Sequence, residues 1–401
     1  MNALLGALAL LLAGILGARV PFATAAPLGP RLLVSSGTHF LFLGLLLGSH
    51  GVGLLNRAVL EQLYPALALG LGWIGFLFGL QLDVRQLRRF PRPLTALALF
   101  QAALAFLLFL GLAAPLVAAA GGWHGPGRAA LLAAAATACI SAPAGVALVA
   151  RALGVRGRVG RALLYVASLD AVVGIAALQL ARVLEPPFTQ AAGAVGPVVW
   201  LGAAAALGLA GGVLFLWLTR SAGGAELVLF VLGLVVFTAG GALYLGLSPL
   251  FVSATAGVVV AKLSALRRRA CALMQAWEKP IYVIVLVLAG ALLRFPSWLV
   301  LPFAAAYFAC RLAAKLGANF VLGRLLRLDG LPAGLGAGLV PQGGMSLVMA
   351  VSIGLTYGAL GPPELLDLLV GAVVLGVVAS ELVGPLLVRG LLARAGEVSR
   401  G

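Results

Sequence analysis

The chain has 401 residues, of which 63% are hydrophobic and only 9% charged, with a formal net charge of +16. Soluble domains carry roughly 25% charged residues, and no water-soluble fold hides this much apolar surface, so the composition excludes a soluble enzyme or binding module. The excess of Lys and Arg reads as loop charge that orients membrane spans, not as a nucleic-acid surface.

The apolar runs are about 20 residues long and lack the alternation of barrel strands, which predicts an all-α polytopic membrane protein. Thirteen segments follow in chain order, at roughly 3–18, 32–54, 63–82, 93–119, 128–150, 160–181, 193–218, 224–243, 248–262, 279–295, 298–322, 332–356 and 364–389. No Lys or Arg precedes the first run, and Arg19 follows it. That pattern predicts a retained span with the N-terminus outside, not a signal peptide cleaved at ATAA near residue 25. In this orientation 21 basic residues are cytoplasmic, among them Arg31, Arg85, Arg88, Arg89, Arg156, Arg327 and Arg400, against 4 outside. Such a bias requires an odd number of spans and a cytoplasmic C-terminus, and the cell's inner membrane is the expected location. No soluble regulatory domain and no nucleotide fingerprint are expected after the last span. Cys139, Cys271 and Cys310, and His39, His50 and His124, have no ligand spacing, so neither a disulfide framework, a metal site nor a cofactor is expected.

Span 3 and its loop read LGWIGFLFGLQLDVRQLRR, with Asp83 expected at the cytoplasmic surface. Span 5, TACISAPAGVALVARALG, carries Pro143 with Gly145 beside it in mid-membrane. Span 6 holds Asp170 near the centre of a run from Val159 to Arg182. A carboxylate at that depth costs several kcal/mol without a partner or water, so its first reading is functional. Span 11 offers Arg311 and Lys315, one turn apart on one helix face. Lys315 is read as the partner of Asp170, with Arg311 snorkelling or bonding backbone at a broken helix.

Span 12, GAGLVPQGGMSLVMAVSIG, repeats the span 5 pattern with Pro341, Gln342, Gly343 and Gly344. Proline removes a backbone donor and clashes with the preceding turn, while glycine relaxes the chain. Seven spans separate the two interruptions, so they run in opposite directions, as an inverted repeat requires. Paired broken helices of this kind point to a transporter site. Thr137, Ser141, Ser168 and Gln342 are candidate oxygen ligands, with helix–helix hydrogen bonding as the competing role. Glu381 in span 13 is a second buried acid, read as structural.

At this point the motifs resemble a known family. LGWIGFLFGLQLDVRQLRR is similar to the LGxxxLLFxxGLELDxxxLR signature of the monovalent cation:proton antiporter-2 family, which includes sodium/proton antiporters and Kef-type potassium transporters. GLSPLFVSATAGVVVAK, KPIYVIVLVLAGALLRF, PQGGMSLVMA and VVASELVGPLLVRGLLARAGE resemble further family segments in the same order, from about residue 28 onward.

The resemblance implies a transport core from spans 4–6 (about 93–182) and 11–13 (about 298–389). It implies a dimerisation scaffold from spans 1–3 and 8–10, with span 7 linking the two. It further implies a homodimer, two crossed unwound helices in spans 5 and 12, and Lys315 as the basic residue before the second. The chain departs from the pattern at two places. The family's adjacent polar pair is here Leu169-Asp170 or Asp170-Ala171, according to register, and QGGE has become QGGM at Met345. In the first register Asp170 is the ion-binding acid; in the second it is the lysine-pairing position.

The main expectation is exchange of Na+ or K+ for protons by alternating access, with Asp170 holding either, and with lipid, cation, proton and a second copy of the chain as partners and no nucleic acid. The alternatives are a degenerate homologue that carries an anion or small organic acid past Arg311 and Lys315, and a membrane sensor without transport. No Ser/His/Asp or Cys/His set for covalent catalysis is present.

Overall fold

Proline stands in the first turn of the helices that begin at Tyr64, Arg92, Pro126, Pro143, Pro197, Pro249 and Pro363. Its missing N–H falls where a helix has no acceptor to offer, so the residue that breaks a helix also begins the next. The computed structural model describes residues 2–19, 39–49, 51–82, 90–123, 125–155, 157–184, 196–220, 226–294, 297–326, 328, 330–332, 334–357 and 360–397. Asp83, His50, His124, the ATAA stretch, and Arg31, Arg85, Arg88, Arg89, Arg156, Arg327 and Arg400 lie outside the described residues.

The described residues form helices and no strand. In chain order these are α1 (Asn2–Arg19), α2 (His39–Leu47), α3 (Arg57–Gln62), α4 (Tyr64–Gln81), α5 (Arg92–Ala119), α6 (Pro126–Cys139), α7 (Pro143–Ala152) and α8 (Arg158–Leu184). They continue with α9 (Pro197–Leu218), α10 (Leu227–Tyr244), α11 (Pro249–Leu263), α12 (Arg267–Leu292) and α13 (Val300–Leu325). A 3-10 turn (Leu335–Leu339), α14 (Gly343–Tyr357) and α15 (Pro363–Arg394) complete the order. Among the described residues, nine helical stretches are long and apolar enough to cross a membrane. Shorter apolar helices, Leu5–Leu16, Pro249–Leu263 and Gly343–Tyr357, stand at the first, ninth and twelfth predicted spans. Among the described residues the second span, predicted to 54, is helical only over His39–Leu47, and two further spans are interrupted. The fifth is divided into α6 and α7, and the first part of the twelfth is a 3-10 turn, the tighter winding found where a helix is under strain.

The chain forms two compact units. The first comprises Met1–Val20, Gly53–Arg88 and Leu178–Val285. Its centre is the packing of α4 on α11, where glycines bring two backbones together: a Cβ on Gly75 would stand 2.3 Å from the Leu250 carbonyl oxygen, and one on Gly257 would stand 2.4 Å from that of Phe76. Phe76, Leu80, Phe215, Val231, Val260 and Met274 fill the space around this seam. The second unit comprises Pro21–Val52, Arg89–Ala177 and Leu286–Gly401, and contains both interrupted spans. There α5 packs on α6 and α13, and α15 on α13 and α14.

Because both partners at the α4–α11 seam are backbone, Gly257→Val has no side chain to displace. Overpacking of this kind costs about 1–3 kcal/mol. The expected result is a melting temperature several degrees below that of the unaltered protein in detergent, and equal melting would refute the seam.

Candidate functional site

The two interruptions meet. In the first, Ile140, Ser141 and Ala142 are extended between α6 and α7, because the residue before Pro143 is pushed out of helical conformation. In the second, Val340, Pro341 and Gln342 separate the 3-10 turn from α14, which starts at Gly343. Ala142 N donates to Pro341 O at 2.8 Å, which ties one break to the other. Gly343 has a φ of +65°, where an L side chain is strained, and a Cβ there would stand 2.7 Å from the Ala142 Cβ. Gly145 faces Pro341 across the same junction.

Each break leaves backbone groups without helical partners. Arg311 on α13 takes the carbonyls: Nη1 donates to Ala138 O at 3.1 Å, and Nη2 to Ile140 O at 2.9 Å and Val340 O at 3.2 Å. Glu381 on α15 takes the amides: its Oε1 accepts from Gln342 N at 2.9 Å and Gly343 N at 2.6 Å. A cation therefore sits where helix ends are partially negative, and an acid where α14 begins and is partially positive.

Asp170 lies beside this junction, fully buried. Its Oδ2 accepts from Lys315 Nζ at 2.6 Å, and both residues have 0% side-chain exposure. Lys315 Nζ also donates to Cys139 O at 2.9 Å. Ser141 Oγ lies 2.7 Å from both Asp170 Oδ2 and Leu339 O, with one proton to give. Gln101 on α5 donates through Nε2 to Oδ1 and Oδ2 of Asp170, each at 3.1 Å. Asn319, one turn beyond Lys315, donates through Nδ2 to Gln101 Oε1 at 2.6 Å and to Lys315 O at 2.7 Å.

A second, uncharged cluster adjoins the breaks. Gln342 Nε2 is within bonding distance of Thr137 O (2.9 Å), Tyr307 Oη (2.7 Å) and Ser346 Oγ (3.2 Å), and its Oε1 accepts from Ser380 Oγ at 3.1 Å. Thr137 Oγ1 donates to Ala134 O at 2.6 Å and lies 2.8 Å from Tyr307 Oη.

Of the residues singled out in the sequence, Asp170, Lys315, Arg311, Ser141, Pro143, Gly145, Pro341 and Gly343 gather at the junction, with Thr137 and Gln342 in the neighbouring cluster. Gly344 is the second residue of α14 and is half-buried. Ser168 stays apart, because its hydroxyl donates to Leu164 O of its own helix at 2.8 Å. Sequence reasoning missed Gln101, Tyr307 and Asn319 and left Glu381 without a partner. A signal existed: Tyr307, Arg311, Lys315 and Asn319 recur every four residues, one polar stripe on a helix that is otherwise apolar up to Arg324 in its last turn. Among the described residues no group of three or more His, Cys, Asp or Glu is placed to hold a metal ion.

A family model described as sodium/hydrogen exchanger, transmembrane, matches residues 8–389. Comparison with curated proteins returns no match. Among solved structures the chain is similar to the sodium proton antiporter MjNhaP1 from Methanocaldococcus jannaschii at pH 8, with a TM-score of 0.71. The identity is 15%, over 98% of this chain and 100% of that one, so the likeness is one of fold.

Arg311 serves three buried carbonyls, and leaving a buried polar group unpaired costs about 1–3 kcal/mol each. Arg311→Met is expected to lose more than about 3 kcal/mol, read as a large fall in melting temperature. Arg311→Lys, which keeps the charge but not the planar fork, is expected to fall between the two. A Met variant that melts with the unaltered protein would show that Arg311 does not hold the breaks.

Proposed function

The chain belongs to the transmembrane sodium/hydrogen exchanger family, proteins that exchange cations for protons, and from that premise we propose that it exchanges Na+ or K+ for protons by alternating access at the Asp170–Lys315 pair, where the Asp170 carboxylate takes the cation in place of the protonated lysine. The observation that carries this reading is the buried pair of Asp170 and Lys315 at the meeting of two broken helices.

The argument is one of charge. Asp170 and Lys315⁺ form a neutral pair in a medium where net charge is expensive. A dehydrated monovalent cation beside Asp170 keeps the site neutral only if Lys315 gives up its proton. Entry of one cation is thereby coupled to departure of one proton, and the reverse exchange restores the pair. Lysine suits this role because its ammonium is a compact point charge that releases a proton when desolvated, whereas the guanidinium of Arg311 stays charged. Both roles that the family divides between two adjacent polar positions fall here to one carboxylate, since the neighbours of Asp170 are Leu169 and Ala171.

In this proposal spans 4–6 (about 93–182) and 11–13 (about 298–389) form the transport part, spans 1–3 and 8–10 the scaffold of a homodimer, and span 7 the link between them. The multi-pass chain sits in the inner membrane with its N-terminus outside and its C-terminus in the cytoplasm. The anion alternative is disfavoured because the hydrogen bonds of Arg311 and Lys315 go to backbone carbonyls and Asp170.

The test is cation-driven proton flux in vesicles holding the purified protein. Asp170→Asn is expected to abolish flux for every cation, and removal of one essential charged group typically reduces turnover at least about a hundredfold. Asp170→Glu, which keeps the carboxylate, is expected to retain part of it. Undiminished flux in Asp170→Asn refutes the assignment, and transport driven by anions but indifferent to Na+, K+ and Li+ refutes cation exchange.

A further inference from the structure

Every group bonded to Asp170 is a donor: the Gln101 amide, the Ser141 hydroxyl and the Lys315 ammonium. That arrangement suits the proton-loaded site. A metal cation needs oxygen ligands in place of donors. Of the three groups, the hydroxyl already has lone pairs, and the ammonium has none to offer while protonated. The amide is the side chain that presents either an N–H or a carbonyl oxygen by a half-turn about its terminal torsion, a broad and roughly two-fold rotation.

The present orientation of Gln101 is held by Asn319, whose Nδ2 donates to Gln101 Oε1 at 2.6 Å. Asn319 Oδ1, in a residue only 2% exposed, accepts no hydrogen bond from the described residues. A buried carbonyl oxygen without a donor is a rare and costly state. A concerted half-turn of both amides gives that oxygen a donor, at the cost of the Asn319 Nδ2 hydrogen bond to Lys315 O. If Gln101 and Asn319 both rotate, Gln101 Nε2 donates to Asn319 Oδ1 and Gln101 Oε1 turns toward Asp170.

We propose that Gln101 is a specificity-determining residue of the exchange, a ligand that donates to Asp170 when the site holds a proton and offers its carbonyl oxygen to the cation when it does not. Asn319 is its positioning partner, selecting the orientation. The inference rests on the exchange reading above and adds to it an identified neutral ligand from α5, with Ser141 Oγ and Asp170 completing the oxygen set.

The experiment measures the KM for Na+ and for K+ and the maximal flux in vesicles, with melting temperature as a check on folding, across a double-mutant cycle. Gln101→Met keeps the length of the side chain and removes both amide groups. It is expected to raise the KM for the transported cation about tenfold, the equivalent of about 1.4 kcal/mol of lost binding. Asn319→Asp, measured at a pH where it is ionised, can only accept from Gln101, which locks the carbonyl toward Asp170, and is expected to lower that KM and to slow maximal flux. In the Gln101→Met background the Asn319→Asp effect is expected to vanish, because it acts through the amide. A KM unchanged within twofold in Gln101→Met overturns the proposal. So does an Asn319→Asp effect of equal size in both backgrounds, which would mark a direct effect of the added charge. If Gln101→Met does not fold, Gln101→Leu, which also lacks both amide groups, takes its place, and an Asn319→Asp effect that survives in it overturns the proposal. Absence of any cation-driven flux in the unaltered protein would instead overturn the exchange itself, and this role of Gln101 with it.

Discussion

Hydrocarbon offers no hydrogen bonds, and from that constraint the arrangement of the second unit follows. A broken helix inside a bilayer exposes amides and carbonyls that water cannot reach, so protein must satisfy them. Here the chain breaks twice at one place, and each kind of orphan group has a dedicated side chain. Arg311 gathers three carbonyls from both breaks, Glu381 gathers two amides from one, and Ala142 and Pro341 satisfy each other. The five N–H groups of a guanidinium lie in a rigid fork, which makes arginine the side chain able to serve several carbonyls at once.

With the breaks held open, a polar seat exists at a depth where there would otherwise be only apolar helix. Asp170 occupies it together with the one nearby group that is both cationic and able to lose a proton. The division of labour between neighbouring cations on α13 is then physical. Arg311 is fixed to backbone carbonyls at the breaks, and Lys315 is placed on the Asp170 carboxylate, the group whose partner changes in the proposed exchange. Under that proposal, swapping the two would put a permanent charge on the carboxylate and a releasable one on the breaks.

The fold was legible from the chain because its determinants are local. Run length, loop charge and the repeated proline-glycine interruption are all written along one dimension, and Asp170 stands out as a lone acid in an apolar run. The network around it was less legible because it is assembled from four helices. Gln101 is an uncharged residue inside FQAALAF, and nothing along the sequence says that α5 turns it toward α8. Tyr307 and Asn319 form one face with Arg311 and Lys315, a pattern visible at helical spacing but masked by the two charges between them. Ser168 reads in the sequence as a candidate ligand with a structural hydrogen bond as its competing role, and its hydroxyl donates to its own backbone.

The two departures from the family signature have a common form in three dimensions. Met345 stands in the first turn of α14 where the resemblance expects an acid, and the positive end of that helix is met instead by Glu381 from α15. Leu169 or Ala171 stands where a polar neighbour of Asp170 is expected, and the carboxylate is met instead by the Gln101 amide from α5. In each case the electrostatic demand belongs to a place in space, a helix end or a buried oxygen, and not to a position in the motif. A low-dielectric interior enforces such demands regardless of which helix answers them. Loss of a motif letter here removes a side chain without removing the chemistry that the place requires.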